Sequence, residues 1–292
     1  MITMTTGHLL AATAMAVLGS SVAASALLVD YPVFTGQSIR YGLAAVILVA
    51  LARGRLLRPN LSELLQLVAL AALGLAGFNV LLIAALREAE PAVVGVVVGA
   101  VPVVLATVGP LVAGERLSRR VLGAAVFVTA GVAAVQWGDP RFSGLGLLFA
   151  LGALACEAAF SLLAVPLLGR LRPIGVATYA SALAVPMLLA AAIVADGGGA
   201  FVAPRADDAA ALAYLAVVVT AAAFVAWYSA IDRVGAARAG LFAGLVPIAA
   251  LATLAGMGLT MVTPLRLAGA LVVCGGVLLG VSRPRGDRDS AR

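Results

Sequence analysis

Ten apolar stretches, each close to the length that crosses a bilayer, constrain this chain more than any other feature. They occupy 8–28, 34–52, 64–86, 91–113, 118–137, 144–166, 173–195, 209–231, 236–258 and 264–282. A spanning helix takes about 20 predominantly apolar residues. These stretches are apolar all round rather than along one stripe, and they lack the period-two alternation of strands. In lipid, backbone N–H and C=O groups are satisfied only in helices or closed barrels. The predicted fold is therefore an all-α integral membrane protein, with 1–292 as a single transmembrane domain. Composition agrees, at 63% hydrophobic and 11% charged, where a soluble domain carries about 25% charged residues. The same figures exclude a disordered chain and give no basic face for a nucleic-acid partner. Cys156 and Cys274 lie in apolar runs and read as small apolar filler, so no metal centre or disulfide framework is expected.

Charge placement predicts the orientation. All 19 cationic side chains are Arg. Fourteen fall at alternate ends of the stretches: Arg53, Arg55, Arg58, Arg116, Arg119, Arg120, Arg170, Arg172, Arg233, Arg238 and the tail residues Arg283, Arg285, Arg288 and Arg292. The other ends hold Arg87, Arg141, Arg205 and Arg266, and Arg40 lies inside the second stretch. Cytoplasmic loops carry the excess of Lys and Arg. Both termini, including a polar tail at 283–292, are thus expected in the cytoplasm and the chain in the cell membrane. Residues 22–26, Val-Ala-Ala-Ser-Ala, look like a signal-peptide cleavage site. However, no Lys or Arg precedes them, and the expectation is that the first stretch stays as a span.

An internal repeat emerges from the glycines. Gly95, Gly99 and Pro102 recur as Gly240, Gly244 and Pro247, each 145 residues later. Gly123-Ala124 matches Gly269-Ala270 with one residue of slippage, and Phe78 has a near match in Phe224. Two such units give five stretches each, 8–137 and 144–282. An odd number of spans inverts the second unit relative to the first. Inverted repeats are the architecture of secondary transporters, with the substrate near the midplane between halves. The glycines are expected to let the fourth and ninth spans approach neighbouring helices, and the prolines to bend them beside a cavity.

Several segments together carry a family resemblance. They are Ser38-Ile39-Arg40-Tyr41, the run Glu90-Pro91-Ala92 through Pro102, the turn Gly114-Glu115-Arg116-Leu117-Ser118, and Gly123 to Gly131. In order and spacing the chain resembles the EamA-like transporters of the drug/metabolite transporter superfamily, over almost its whole length. The resemblance implies ten helices in two five-helix repeats and the export of a small metabolite, amino acid or drug-like compound. The chain departs from the pattern at Thr260, where the second repeat would carry the match of Glu115.

Ionisable groups inside a membrane are functional candidates because burying them is costly, about 2.5–3.5 kcal/mol on insertion scales. Glu157, about 13 residues into the sixth stretch, is the deepest acid. A carboxyl in that setting suits proton coupling or the binding of a cationic amine, against the alternative of a hydrogen-bonded structural Glu. Arg40 either snorkels to the outer surface, holds a substrate carboxylate, or supports the fold. Asn79, Ser20 and Ser21 are expected to bond neighbouring helices. Trp227 and Tyr228 read first as an interfacial aromatic belt, and second as a flat wall for an organic substrate. Tyr179, well inside the seventh stretch, is poorly explained by a belt.

The leading expectation is a secondary transporter working by alternating access on a small-molecule substrate, with proton coupling through Glu157 and no cofactor. An intramembrane enzyme would need clustered catalytic groups. The chain has one histidine, His8, and one mid-membrane carboxylate, so no enzyme is expected. A channel would need charged rings or filter loops. No GxxxxGK[ST] phosphate loop is present.

Overall fold

A computed structural model of the protein describes residues 2–137, 141 and 143–282. The expected tail, with Arg283, Arg285, Arg288 and Arg292, and most of the turn at 138–143 lie outside the described residues. Among the described residues the chain is helical, without strands. The helices are α1 (Ile2–Leu27), α2 (Val33–Ala52), α3 (Leu61–Glu88), α4 (Pro91–Val112), α5 (Arg119–Val135), α6 (Gly144–Leu162), α7 (Val165–Asp196), α8 (Ala206–Val234), α9 (Ala236–Gly256) and α10 (Pro264–Val281). Nine of these are long and apolar enough to cross a membrane. The remaining one, α5, has 17 residues, which is about 25 Å of helix.

Polar punctuators start the helices. Asn60 accepts the Glu63 N–H while the Glu63 carboxylate accepts the Asn60 N–H, a reciprocal cap on α3. At α8 the Asp208 carboxylate likewise accepts the Arg205 N–H, at 2.9 Å. The hydroxyls of Ser118, Ser143 and Thr263 cap α5, α6 and α10. Each such cap satisfies N–H groups that have no partner in the first turn.

Interruptions inside the helices shape the bundle. Both α3 and α8 contain a π-helical stretch, at Leu70–Gly77 and Leu215–Ala222. The helix α4 breaks at Gly99–Ala100 and resumes with Pro102 in its first turn, where a missing N–H costs nothing. Tighter 3-10 turns replace α-helix at Leu241–Gly244 in α9. In α7, Arg172 takes φ 63° and ψ 158°, so a short helical stretch precedes the long one. Pro173 follows, and its ring disfavours α geometry at the preceding residue.

Many of these features recur 145 residues apart: the caps at 60 and 205, 118 and 263; the π stretches from 70 and 215; the starts of α4 and α9 at 91 and 236. Packing follows the same rule. The helices α5 and α10 run against each other, as do α2 and α7. A Cβ on Gly131 would lie 2.7 Å from the Gly269 carbonyl, and one on Gly269 equally close to that of Gly131. The core holds fully buried Leu48, Leu70, Leu105, Leu167 and Leu188, while Leu9, Phe127, Val194 and Leu278 point outward. Large apolar side chains on the outside of a bundle this hydrophobic face lipid.

Loops bond within two sets. Tyr31 donates to the Val202 carbonyl, Thr35 to that of Ala200, and Arg141 pairs with Glu90. At the opposite, Arg-rich end Arg170 pairs with Glu63, and Tyr179 donates to the Leu57 carbonyl. The two ends match the two groups of loops separated by arginine content.

Candidate functional site

A cavity of about 420 Å³ lies inside the bundle. Six helices supply most of its wall: Ser21 from α1, Arg40 and Tyr41 from α2, Phe78, Asn79 and Leu82 from α3, Gly95 and Gly99 from α4, Glu157 and Phe160 from α6, and Pro247 from α9. Its lining runs from Gly74 and Phe160 toward Leu86, Pro91 and Gln136 at the Arg-poor end.

Backbone proximity explains why these helices meet around a void. A Cβ on Gly74 would lie 2.8 Å from the Phe160 Cα, so α3 crosses α6 at backbone distance on the cavity floor. On Gly99 it would collide with the Val132 side chain, and on Gly244 with that of Val128, both on α5. On Gly95 it would collide with Gln136. Gly240 would meet Leu105 at 2.8 Å. These glycines hold the pieces of α4 and α9 against their neighbours.

The polar groups in the cavity are few and unevenly satisfied. Arg40 Nε donates to Thr220 Oγ1 at 2.6 Å, and Nη1 donates to Gln37 Oε1 at 3.3 Å. Its guanidinium carbon lies 5.3 Å from the centre of the Tyr41 ring. Among the described residues no carboxylate lies within ion-pair distance of Arg40. Thr220 passes the contact on, donating to the Leu215 carbonyl at 2.8 Å within the π stretch of α8. Among the described residues no hydrogen bond or ion pair reaches Glu157. The cavity thus holds one cation and one anion that do not neutralise each other, set in a mostly apolar wall with Ser21, Asn79 and Gln136 as its neutral polar groups.

The floor is aromatic. Phe160 lies 4.8 Å from Phe224 and 5.1 Å from Tyr228, measured between ring centres. Trp227 Nε1 donates to Ser161 Oγ at 3.1 Å. Below this layer, at the Arg-rich end, is a second pocket of about 400 Å³.

With this geometry in view, the comparisons with known proteins are decisive on family. The sequence model of the EamA-like transporter family matches twice, over residues 5–137 and 144–282. The chain belongs to the EamA-like transporter family. This family is part of the drug/metabolite transporter superfamily, and with its apolar helices the chain is a multi-pass membrane transporter. It is similar to the "Uncharacterized transporter YetK" of Bacillus subtilis (strain 168), 25% identical over 253 residues, covering 82% of this chain and 76% of that protein. It also shares its fold with a solved structure described as "Crystal structure of protein". That likeness has a TM-score of 0.80 at 20% identity, covering 94% of this chain and 96% of the other.

Within this EamA-like fold, four of the sequence-derived candidates share the cavity: Glu157, Arg40, Asn79 and Ser21. Arg40 reaches inward to Thr220 with Nε and back to Gln37, one turn nearer the Arg-poor end, with Nη1, and it lines the cavity. Asn79 donates to the Leu75 carbonyl of its own helix at 2.8 Å rather than to a neighbour. Ser20 bonds the Val17 carbonyl and the Tyr214 hydroxyl at 2.6 Å each, away from the cavity wall. Trp227 and Tyr228 are 4% and 0% exposed, which overturns the interfacial-belt reading: α8 turns them inward against α6. Tyr179 reaches the 53–60 turn because α7 starts earlier than expected and breaks at Arg172, so its ring stands near the Arg-rich end. Pro102, Gly240 and Gly244 shape the walls from behind without lining them. Thr260 accepts from Arg266 Nη1 at 3.0 Å, holding the turn that lacks a carboxylate.

Four contributors escaped the sequence reading. Thr220 gave no signal, since a threonine in an apolar run is ordinary. Phe160 and Phe224 sit in apolar runs, where a phenylalanine carries no mark of a cavity floor. Gln136, a polar residue at the end of the fifth stretch, was a visible signal not followed.

Proposed function

We propose that this chain is a secondary transporter that exports a small organic solute by alternating access. Its ten spans form two inverted five-helix repeats, 8–137 and 144–282, set in the cell membrane with both termini cytoplasmic. The α5 helix counts as a span in this reading, because its partner α10 runs alongside it and the two share the 145-residue offset. One observation carries the reading: among the described residues, Glu157 and Arg40 are the one acid and the one cation that line the cavity, and they do not pair with each other.

The chemistry follows from that placement. A carboxyl in an apolar wall without a protein partner is held either by a proton or by a positive group on the substrate, since leaving it bare and charged is costly. The two occupants compete for one site. Proton binding from one side and release to the other then drives solute the opposite way. Nonpolar walls of Leu75, Phe78 and Val98 accept the apolar body of the solute. Asn79 and Gln136 offer neutral hydrogen bonds along the wall.

The test begins with a thermal-shift panel of amino acids, small metabolites and drug-like compounds on the purified protein. Flux of a stabilising compound is then followed in proteoliposomes under an imposed pH gradient. Wild type is expected to respond to the gradient and Glu157→Gln, which can neither release a proton nor pair with a cation, to lose that response. Equal gradient-driven flux in both would refute coupling at Glu157.

A further inference from the structure

Two cavities follow each other along α6 and α8, and Ser161, Trp227 and Tyr228 stand between the residues that line the one and the residues that line the other. On α8, Phe224 faces the upper cavity and Ile231 the lower pocket. Seven residues of helix span about 10 Å, and Trp227 and Tyr228 lie between. On α6 the order repeats: Glu157 and Phe160 line the upper cavity, Ser161 meets Trp227, and Val165, just beyond the end of α6, lines the lower pocket. The lower pocket also takes in Pro110, Glu115 and Arg238, so its mouth is polar and sits at the Arg-rich end.

We propose that the lower pocket is the other half of one transport path, and that Trp227 and Ser161 form the latch that closes the barrier between them. This rests on the transport reading above. Across the barrier, the Trp227 indole donates to the Ser161 hydroxyl, and Trp227 and Ser161 are 4% and 2% exposed. Tyr228 reinforces the closure, its hydroxyl 3.5 Å from the Phe160 carbonyl and its ring against that of Phe160. Ser161 stands one helical turn after Glu157 on the same face of α6. A change of occupant at Glu157 that shifts α6 by a fraction of a turn moves the acceptor away from the indole. The latch thereby ties the occupied state of the upper cavity to the opening of the lower one.

Labelling tests this without any substrate. A cysteine at Val98→Cys, on the upper cavity wall, is introduced after Cys156→Ala and Cys274→Ala. A membrane-impermeant maleimide is applied to oriented vesicles of both senses. The parent is expected to react at least tenfold faster from the Arg-poor face. Trp227→Phe and Ser161→Ala each delete the same hydrogen bond, and each is expected to raise the rate from the Arg-rich face at least tenfold. Ser161→Thr keeps the hydroxyl and is expected to behave as the parent. Unchanged labelling from the Arg-poor face shows that a variant is folded. Should Trp227→Phe lose it, Ser161→Ala, which removes one oxygen, carries the test. Equal rates from both faces in the parent, or a folded Ser161→Ala variant that stays one-sided, would overturn the latch. Absence of solute flux alongside opened labelling would count against the transport reading and leave the latch standing.

Discussion

The stretch 78–88 of α3 and the stretch 223–234 of α8 begin 145 residues apart and follow equivalent π-helical stretches, yet they are packed differently. Phe78, Asn79, Leu82 and Leu86 line an open cavity. Trp227, Tyr228, Ile231 and Val234 are buried. The neighbours explain the difference. Each stretch packs along one helix in a matching way, α6 for the first and α1 for the second. Only the α8 stretch also packs along a second helix, α7, and α2 makes no comparable contact with α3. The missing contact is the cavity. Two similar pieces of backbone thus show the open and closed forms of one arrangement, with Trp227 and Tyr228 on the closed side at the positions that Leu82 and Ile83 hold on the open side.

The comparison can be broken or sharpened by substitution. The largest effect is expected where both halves depend on backbone contact. Gly131→Leu or Gly269→Leu forces a side chain into a carbonyl 2.7 Å away and should cost about 5 kcal/mol or more, seen as loss of folded protein by size-exclusion and thermal unfolding. Gly123→Ala, with nothing within 4 Å of its Cβ position, should be silent. Next comes the closed side against the open one. Trp227→Ala empties a packed site and should destabilise by about 3–4 kcal/mol, whereas Leu82→Ala, on the cavity wall, should cost less than about 1 kcal/mol. Similar losses for the two would erase the distinction between the stretches. A smaller effect is expected at Thr220→Val, which removes the acceptor of Arg40 Nε and should cost about 1–2 kcal/mol, with Thr220→Ser retaining most of the stability. The smallest is Ser20→Ala, which deletes the bond to Tyr214 and should change stability by about 0.6 kcal/mol.

Much of the fold was legible because bilayer thickness and caps leave few choices. The ten apolar stretches lie where helices form; polar caps set the starts at Asn60, where the helix begins three residues earlier than expected, at Ser118, where it begins one later, and at Ser143, where it begins as expected. The start of α7 was misjudged because Pro173 reads as a first helical residue, while the chain was already helical from Val165. The site was legible only in part. Glu157 and Arg40 stand out because charge is costly in lipid. Trp227 and Tyr228 were assigned to an interface because sequence gives depth along a helix but not the direction a side chain faces; that direction is set by α6 and α7, which are distant in sequence. The Arg40–Thr220 contact spans 180 residues and no local pattern announces it.

The central claim is that the two halves exchange roles, one end closing as the other opens. Paired spin labels read this directly. Arg87→Cys with Met257→Cys marks the Arg-poor end, and Asp232→Cys with Val112→Cys marks the positions 145 residues away at the Arg-rich end, in a background lacking Cys156 and Cys274. All four side chains are exposed. Pulsed electron–electron distance measurements on reconstituted protein, at acid and neutral pH, should show two distances for each pair. The long distance at one end should gain population as the short distance gains at the other. A single unchanging distance at both ends, or populations that rise and fall together, would contradict the account.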